Sequence, residues 1–253
     1  GSVKYIKTGI NADKYWRLFN TNFILGLSLE GGYIHPLEDR GSAALGIDDV
    51  RLTDRFYLGE PQMRGFDIRG IGPRVQRVFF DGEIVNGAVV NTPRLGRNQI
   101  QDDAIGGRFY YLGRAEVQIP LGSGAKELGL RPSVFMDVGS VFDVTRPILQ
   151  SVQQREILAN GTQGAPLFYT IAADGTTLGT STTATNPDGS ARTPALQFEE
   201  RFFGDTWKPR LSVGFGVNWN SPFGPFRIDI ARALLKQTGD DTKLFTFNVG
   251  TQF

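Results

Sequence analysis

Cysteine is absent from the 253 residues, which excludes disulfides and thiol chemistry and leaves the redox compartment undetermined. The one histidine, His35, precedes a proline at the end of a predicted strand. It could belong to a catalytic triad, but a turn residue accounts for it with fewer assumptions. No Gly-x-Ser-x-Gly, His-Glu-x-x-His or phosphate-loop pattern occurs. No apolar run is long enough for a transmembrane helix. Neither sign of charge prevails, with 27 basic against 26 acidic residues, so nothing electrostatic points to nucleic acid or an acidic partner. Gly1-Ser2 reads as a cloning scar, and no export signal follows it.

Glycine and phenylalanine are plentiful, which fits many short strands and turns. Residues 23–34 alternate clearly. Phe23, Leu25, Leu27, Leu29 and Tyr33 share one face, and Gly26, Ser28, Glu30 and Gly32 the other. The same period recurs over 109–120, 130–142, 211–219, 226–231 and 245–253. The stretch 3–19 alternates less well, because Lys14 falls among apolar residues; a bulge near Asn11-Ala12-Asp13 is expected to restore the phase. Between strands, Asn20-Thr21-Asn22 and Ser221-Pro222-Phe223-Gly224-Pro225 are turn signals, and so is Gly239-Asp240-Asp241. Asp240-Asp241 is expected to be a solvated turn; calcium binding there is the remote alternative.

Segments of roughly ten residues with one apolar and one small or polar face are the pattern of a transmembrane β-barrel. A soluble sandwich also alternates. Two features favour the membrane. Arg114, Glu116, Asp137, Arg227 and Asp229 stand in mid-strand on the polar faces, as a wet lumen allows. Short turns also alternate with two very long connections, 36–107 and 143–208. Val117, Phe215, Ile228 and Phe247 should then face lipid, and Glu116, Gln118, Ser212 and Asn248 the lumen. About seven strands are expected. A closed bacterial barrel needs an even number, which places further strands upstream of Gly1.

The connection 36–107 carries Met63-Arg64-Gly65-Phe66. Glycine frees the backbone, arginine seeks a carboxylate and phenylalanine packs. The segment is either an ordered surface loop or one inserted into the barrel. Paired as a hairpin with its turn near Lys126, strands 109–120 and 130–142 bring Glu116 and Asp137 together on the polar face. The two could form an acid–base pair, as in a glycosidase, or hold a luminal arginine. The connection 143–208, rich in Thr, Ser, Ala and Gly, is expected to be a solvated loop with a small hairpin of its own.

The chain resembles the barrel-assembly members of the outer-membrane assembly and polypeptide-translocation superfamily. The likeness lies in Arg64-Gly65-Phe66 with Gly70-Ile71-Gly72-Pro73, and in Ala104-Ile105-Gly106-Gly107. It continues through Phe135-Met136-Asp137-Val138-Gly139-Ser140-Val141-Phe142, Ser221-Pro222-Phe223-Gly224-Pro225, Phe245-Thr246-Phe247-Asn248-Val249-Gly250 and terminal Phe253. Position 63 departs, with methionine where the family usually has valine, and the insertion 143–208 looks longer than usual.

The resemblance implies an all-β fold, the last seven strands of a sixteen-stranded antiparallel barrel that follows periplasmic POTRA domains. It implies that residues 3–253 form this part, with Arg64 held in the lumen by Glu116 and Asp137. It places Phe245, Phe247, Gly250 and Phe253 at a weak lateral seam, with a kink at Gly250. It further implies a Gram-negative outer membrane and no bond-making chemistry, cofactor or metal. The partners would be lipid, nascent barrel proteins and assembly lipoproteins reached through upstream domains. A polypeptide-translocating pore of the same superfamily is the alternative.

Overall fold

The computed structural model describes residues 4–18, 22–39, 43–96, 98–122, 129–222 and 224–249. Its strands are, in chain order, β1 (Tyr5–Arg17), β2 (Ile24–Pro36), β3 (Arg74–Val85), β4 (Ala88–Pro93), β5 (Gln101–Ala104), β6 (Phe109–Gln118), β7 (Leu130–Phe142), β8 (Ser151–Gln153), β9 (Arg155–Ile157), β10 (Gln163–Pro166), β11 (Phe168–Ile171), β12 (Leu178–Ser181), β13 (Leu196–Phe203), β14 (Arg210–Ser221), β15 (Gly224–Leu235) and β16 (Phe245–Val249). They fall into two compact units. One comprises 1–74, 104–147 and 203–253, and the other 75–103 and 148–202.

The first unit is a seven-stranded antiparallel sheet ordered β1-β2-β6-β7-β14-β15-β16. Its face assignment follows the alternation in the sequence. Phe215, Ile228 and Phe247 are each more than two-fifths exposed on the outer face, whereas Ser212, Asp229 and Thr246 are buried on the inner one. A soluble sheet would cover that apolar face, because exposed patches of this extent mark interaction with another phase or partner. Aromatic rings gather at both ends. Tyr33, Phe109 and Phe142 make a row near one end, with centroids 5.9 and 5.0 Å apart. Near the other end Trp219, Phe226 and Phe247 lie 5.7 and 5.9 Å apart. Two such rows flanking an apolar band are the girdles of a membrane barrel.

The first strand departs from expectation. It pairs with β2 without interruption from Tyr5↔Pro36 to Arg17↔Ile24, so there is no bulge at Asn11-Ala12-Asp13. Lys14 stays in phase on the outer face, its ammonium 5.8 Å from the Trp16 ring centroid. A lysine stem lies on apolar surface while its charge reaches outward, so no backbone shift is needed.

The second unit corrects the reading of both long connections. Residues 75–103 were expected to belong to one irregular luminal loop; they instead supply β3, β4 and most of β5. They join strands from 148–202 in a sheet ordered β4-β3-β13-β8, with β5 also on β3. Asn86 and Gly87, both at positive φ, close the β3–β4 hairpin. The pairs β9–β10 and β11–β12 make two more hairpins where a single small one was expected. Arg77 fastens the sheet by lying 4.3 Å over the Phe198 ring and donating to Glu200 Oε1 at 2.7 Å.

Candidate functional site

Residues 56–73 of the 36–107 connection lie against the inner face of the first unit. Phe56 pairs with Gly107 and Leu58 with Ile71, so the segment descends and returns as a narrow two-legged excursion. Its apolar residues explain why. Leu58, Met63, Phe66 and Ile71 form a buried cluster with Leu112 of β6 and Val141 of β7. Full burial of side chains of this size stabilises by about 1.5–3 kcal/mol each. The alternative of an exposed surface loop therefore does not hold for residues 56–73.

Arg64 sits at the tip. Its Nε donates to Asp137 Oδ2 at 2.8 Å, its Nη2 to Asp137 Oδ1 at 2.6 Å and its Nη1 to Glu116 Oε2 at 2.7 Å. Its main-chain N–H also donates to Asp137 Oδ2 at 3.1 Å. The guanidinium carbon lies 3.4 Å over the Phe135 ring. The sheet register produces this arrangement. Asp137 stands opposite Arg114, and Glu116 opposite Phe135, so the two carboxylates are diagonal neighbours on one face, which Phe135 of β7 shares. The turn around Lys126 that joins these strands lies outside the described residues.

Gly65 has two reasons to be glycine. Its φ is +84°, and an added Cβ would meet Ser212 Cβ at 3.0 Å and Ala231 Cβ at 3.3 Å. Gly72, at φ +104°, would place a Cβ 2.3 Å from Val141 Cγ1. Phe66 is fully buried and bridges to Thr242 in the connection between β15 and β16. In that connection Lys243 Nζ lies 2.7 Å from Glu60 Oε2, and this hydrogen bond raises the lysine above its ordinary pKa.

The cluster is larger than the motif and its two acids. Arg227 Nη2 reaches Glu116 Oε2 at 3.2 Å, and its Nε reaches Asp229 Oδ2 at 2.9 Å. Glu116 thus bridges two arginines. The alternation had set Arg227 and Asp229 on the polar face, but only the pairing of β14 with β7 and β15 carries them to Glu116. A polar cavity of about 310 Å³ opens beside the cluster, lined in part by Asn11, Asp13, Arg114 and Asn248. The acid–base reading of Glu116 with Asp137 meets a direct obstacle. Both Asp137 oxygens accept from Arg64, and its side chain has no exposure to a substrate.

Other expected positions fall as follows. Phe245 and Phe247 are exposed on the outer face of β16. Gly250 and Phe253 lie outside the described residues. His35 is exposed, its ring 6.1 Å from that of Tyr33. Asp240 is not solvated. It is buried in a fork with Arg210, at 3.0 Å from Nε and 3.1 Å from Nη2. An acidic turn looks solvated in sequence whenever its basic partner is remote, and Arg210 offered no local signal.

The Omp85 superfamily domain matches residues 1–253. The outer membrane protein assembly factor BamA of Neorickettsia risticii (strain Illinois) is 29% identical over all of this chain, which spans 23% of that protein. The crystal structure of BamA from Haemophilus ducreyi lacking POTRA domains 1–3 superposes with a TM-score of 0.56 at 20% identity. The superposition covers 96% of this chain and 34% of that one. These likenesses agree with the C-terminal part of a BamA barrel, and the open seven-stranded sheet is what part of a barrel should show. With the family matched from end to end on an apolar-outside, polar-inside sheet, the chain belongs to the Omp85 superfamily and is part of an integral outer-membrane β-barrel.

Proposed function

We propose that this chain is the C-terminal wall of a barrel that folds and inserts nascent β-barrel proteins into the outer membrane. The observation that carries the reading is β16. Among the described residues it pairs with β15 over five positions, Phe226↔Val249 to Ile230↔Phe245, whereas β14 and β15 pair over eleven. β16 joins β15 only from Phe245 onward, so residues 232–235 of β15, which pair with β14, have no β16 partner among the described residues, and an edge begun so late is weakly held. Such an edge can template an incoming strand through main-chain hydrogen bonds. A short, aromatic wall also disturbs and thins the adjacent bilayer, which lowers the barrier to insertion. No covalent step is involved.

In this reading the Arg64 clamp, with Met63, Gly65 and Phe66, fixes the luminal excursion, and Glu116 and Asp137 are its wall anchors. Phe245 and Phe247, with Gly250 and Phe253 beyond them, form one side of the seam. Lipid covers the outer face, nascent strands meet β16, and assembly lipoproteins dock on periplasmic domains outside this chain. A related polypeptide-translocating pore is the second reading. The assembly-factor name of the 29% identical relative favours the first.

The test uses the full-length protein in phospholipid vesicles, with a disulfide joining β16 to the first barrel strand. The rate of client-barrel folding should fall at least tenfold in the locked form and recover on reduction. Undiminished client folding by the locked protein overturns the proposal.

A further inference from the structure

Asp240 and the three residues after it connect two buried arginine sites. Arg210, fully buried at the start of β14, draws in three stretches of chain. Its Nη1 donates to Ser140 Oγ at 2.7 Å and to the carbonyls of Thr206 and Lys208 at 3.0 and 3.3 Å. Its Nη2 donates to Gly204 O at 3.0 Å, and the remaining fork holds Asp240. Asp240 in turn accepts from Gln237 N at 2.7 Å, which folds the β15–β16 connection into a turn.

Immediately beyond that anchor, the connection runs beside the Arg64 tip. Asp241 N donates to Gly70 O at 2.9 Å, Asp67 N to Asp241 O at 3.0 Å and Lys243 N to Gly65 O at 3.2 Å. Phe66 bridges Thr242, and Lys243 binds Glu60. Leu244 O then accepts from Ala231 N at 2.9 Å, and β16 begins at Phe245. The motif segment is thus hydrogen-bonded through its main chain to the residues that launch the last strand. Main-chain bonds of this kind transmit position, because a shift of one leg breaks the ladder or carries the other leg with it.

We infer that residues 240–243 are a relay between the luminal clamp and the seam, and that Arg210 and Asp240 are positioning residues that hold the relay in register. With Asp240 fixed, engagement of Arg64 sets where β16 starts and how firmly its first pairs form. With Asp240 loose, the clamp and the seam strand act independently. The relay itself does not depend on the insertase reading; only its consequence for client folding does.

The test is hydrogen exchange of the 245–249 amides in the full-length protein in phospholipid vesicles, with proteolysis of the 60–70 segment followed in parallel. Arg64→Ala should speed β16 exchange at least tenfold. Asp240→Asn should speed it comparably while the 60–70 segment stays protected, and Asp240→Glu should restore most of the protection. The double variant Arg64→Ala/Asp240→Asn should exchange no faster than the faster single variant. Wild-type exchange in Asp240→Asn, equal acceleration in every strand, or multiplicative effects in the double variant would each overturn the relay. If Asp240→Asn does not fold, Lys243→Ala tests the same path from the half-exposed side, with a severalfold rise expected and none overturning it. Client folding measured on the wild type separates the two ideas: a wild-type protein that promotes no folding removes the insertase reading and leaves the exchange result standing.

Discussion

Arg64 and Asp137 are 73 residues apart in the chain and share three hydrogen bonds, two from the guanidinium and one from the arginine's own main-chain N–H. The carboxylate therefore fixes both the side chain and the backbone at the tip of the luminal excursion. Arg64 cannot leave without stranding Asp137, whose side chain has no exposure, whereas Arg64 would still keep Glu116.

Arg64→Ala should release the tip. Breaking a buried ion pair by removing one partner costs about 3–5 kcal/mol. The neighbouring cavity admits water, so the lower end is expected. Arg64→Lys should be intermediate, because a point charge cannot bind two carboxylates in a fixed fork. A double-mutant cycle with Asp137→Ala, read by protease sensitivity of residues 60–70, should give a coupling of roughly 0.5–3 kcal/mol. Simple additivity would mean that the two do not act as a pair.

Gly65→Ala should destabilise the tip by two separable routes. Alanine at positive φ costs roughly 1–2 kcal/mol. The new methyl also meets Ser212 and Ala231 at 3.0 and 3.3 Å. Ser212→Gly should recover the closer steric contact and leave the Ala231 contact and the conformational part, so the double variant should fall between Gly65→Ala and wild type in thermal unfolding. No recovery at all would show that the Ser212 contact is without consequence.

These 253 residues carry no cysteine, so a single cysteine introduced among them is the only labelled site within this stretch. Cysteine at Phe215, Ile228 or Phe247 should react with a membrane-embedded maleimide and resist a water-soluble one. At Asn248, which faces the cavity, the order should reverse. Equal reactivity with both reagents at all four positions in vesicles would count against the outward apolar face.

Acid should loosen the second unit. Glu200 accepts from Arg77 Nη2 at 2.7 Å and from Gln150 N at 3.0 Å. The hydrogen bond from Arg77 is the main cause that holds its pKa below the usual glutamate value of 4.5. A depressed folded-state pKa contributes stability that is present above the unfolded value and lost as pH falls through the folded one. Proteolysis within 75–103 and 148–202 by an acid-active protease should therefore rise below about pH 4.5, the unfolded reference. Glu200→Gln should flatten that dependence, and an unchanged profile would assign the effect to other groups.

The alternation of Phe215 with Ser212 and Gly216, or of Phe247 with Thr246 and Asn248, was fully legible in the sequence, because the face of each strand residue is set by its immediate neighbours. The polar-face placement of Glu116 and Asp137 followed from the same period. The motif's apolar residues left open whether it formed an ordered surface loop or entered the barrel. The single expected bulge in β1 failed because Lys14 could lie over Trp16 without leaving the outer face.

Sequence by itself determined the outward and inward faces of the wall, the short turns, and the residue types that a luminal clamp requires. Tertiary structure alone decided that Arg227 shares Glu116, that residues 75–103 leave the luminal excursion to pair with strands of the next connection, and that Asp240 is buried against Arg210. The physical reason is distance along the chain. Period-two patterning is local, whereas ion pairs spanning 30 and 111 residues, or a strand pairing whose Arg77–Glu200 contact spans 123, depend on which segments pack together. Only the pairing of the strands and the burial of the motif against the sheet bring those partners within hydrogen-bond reach.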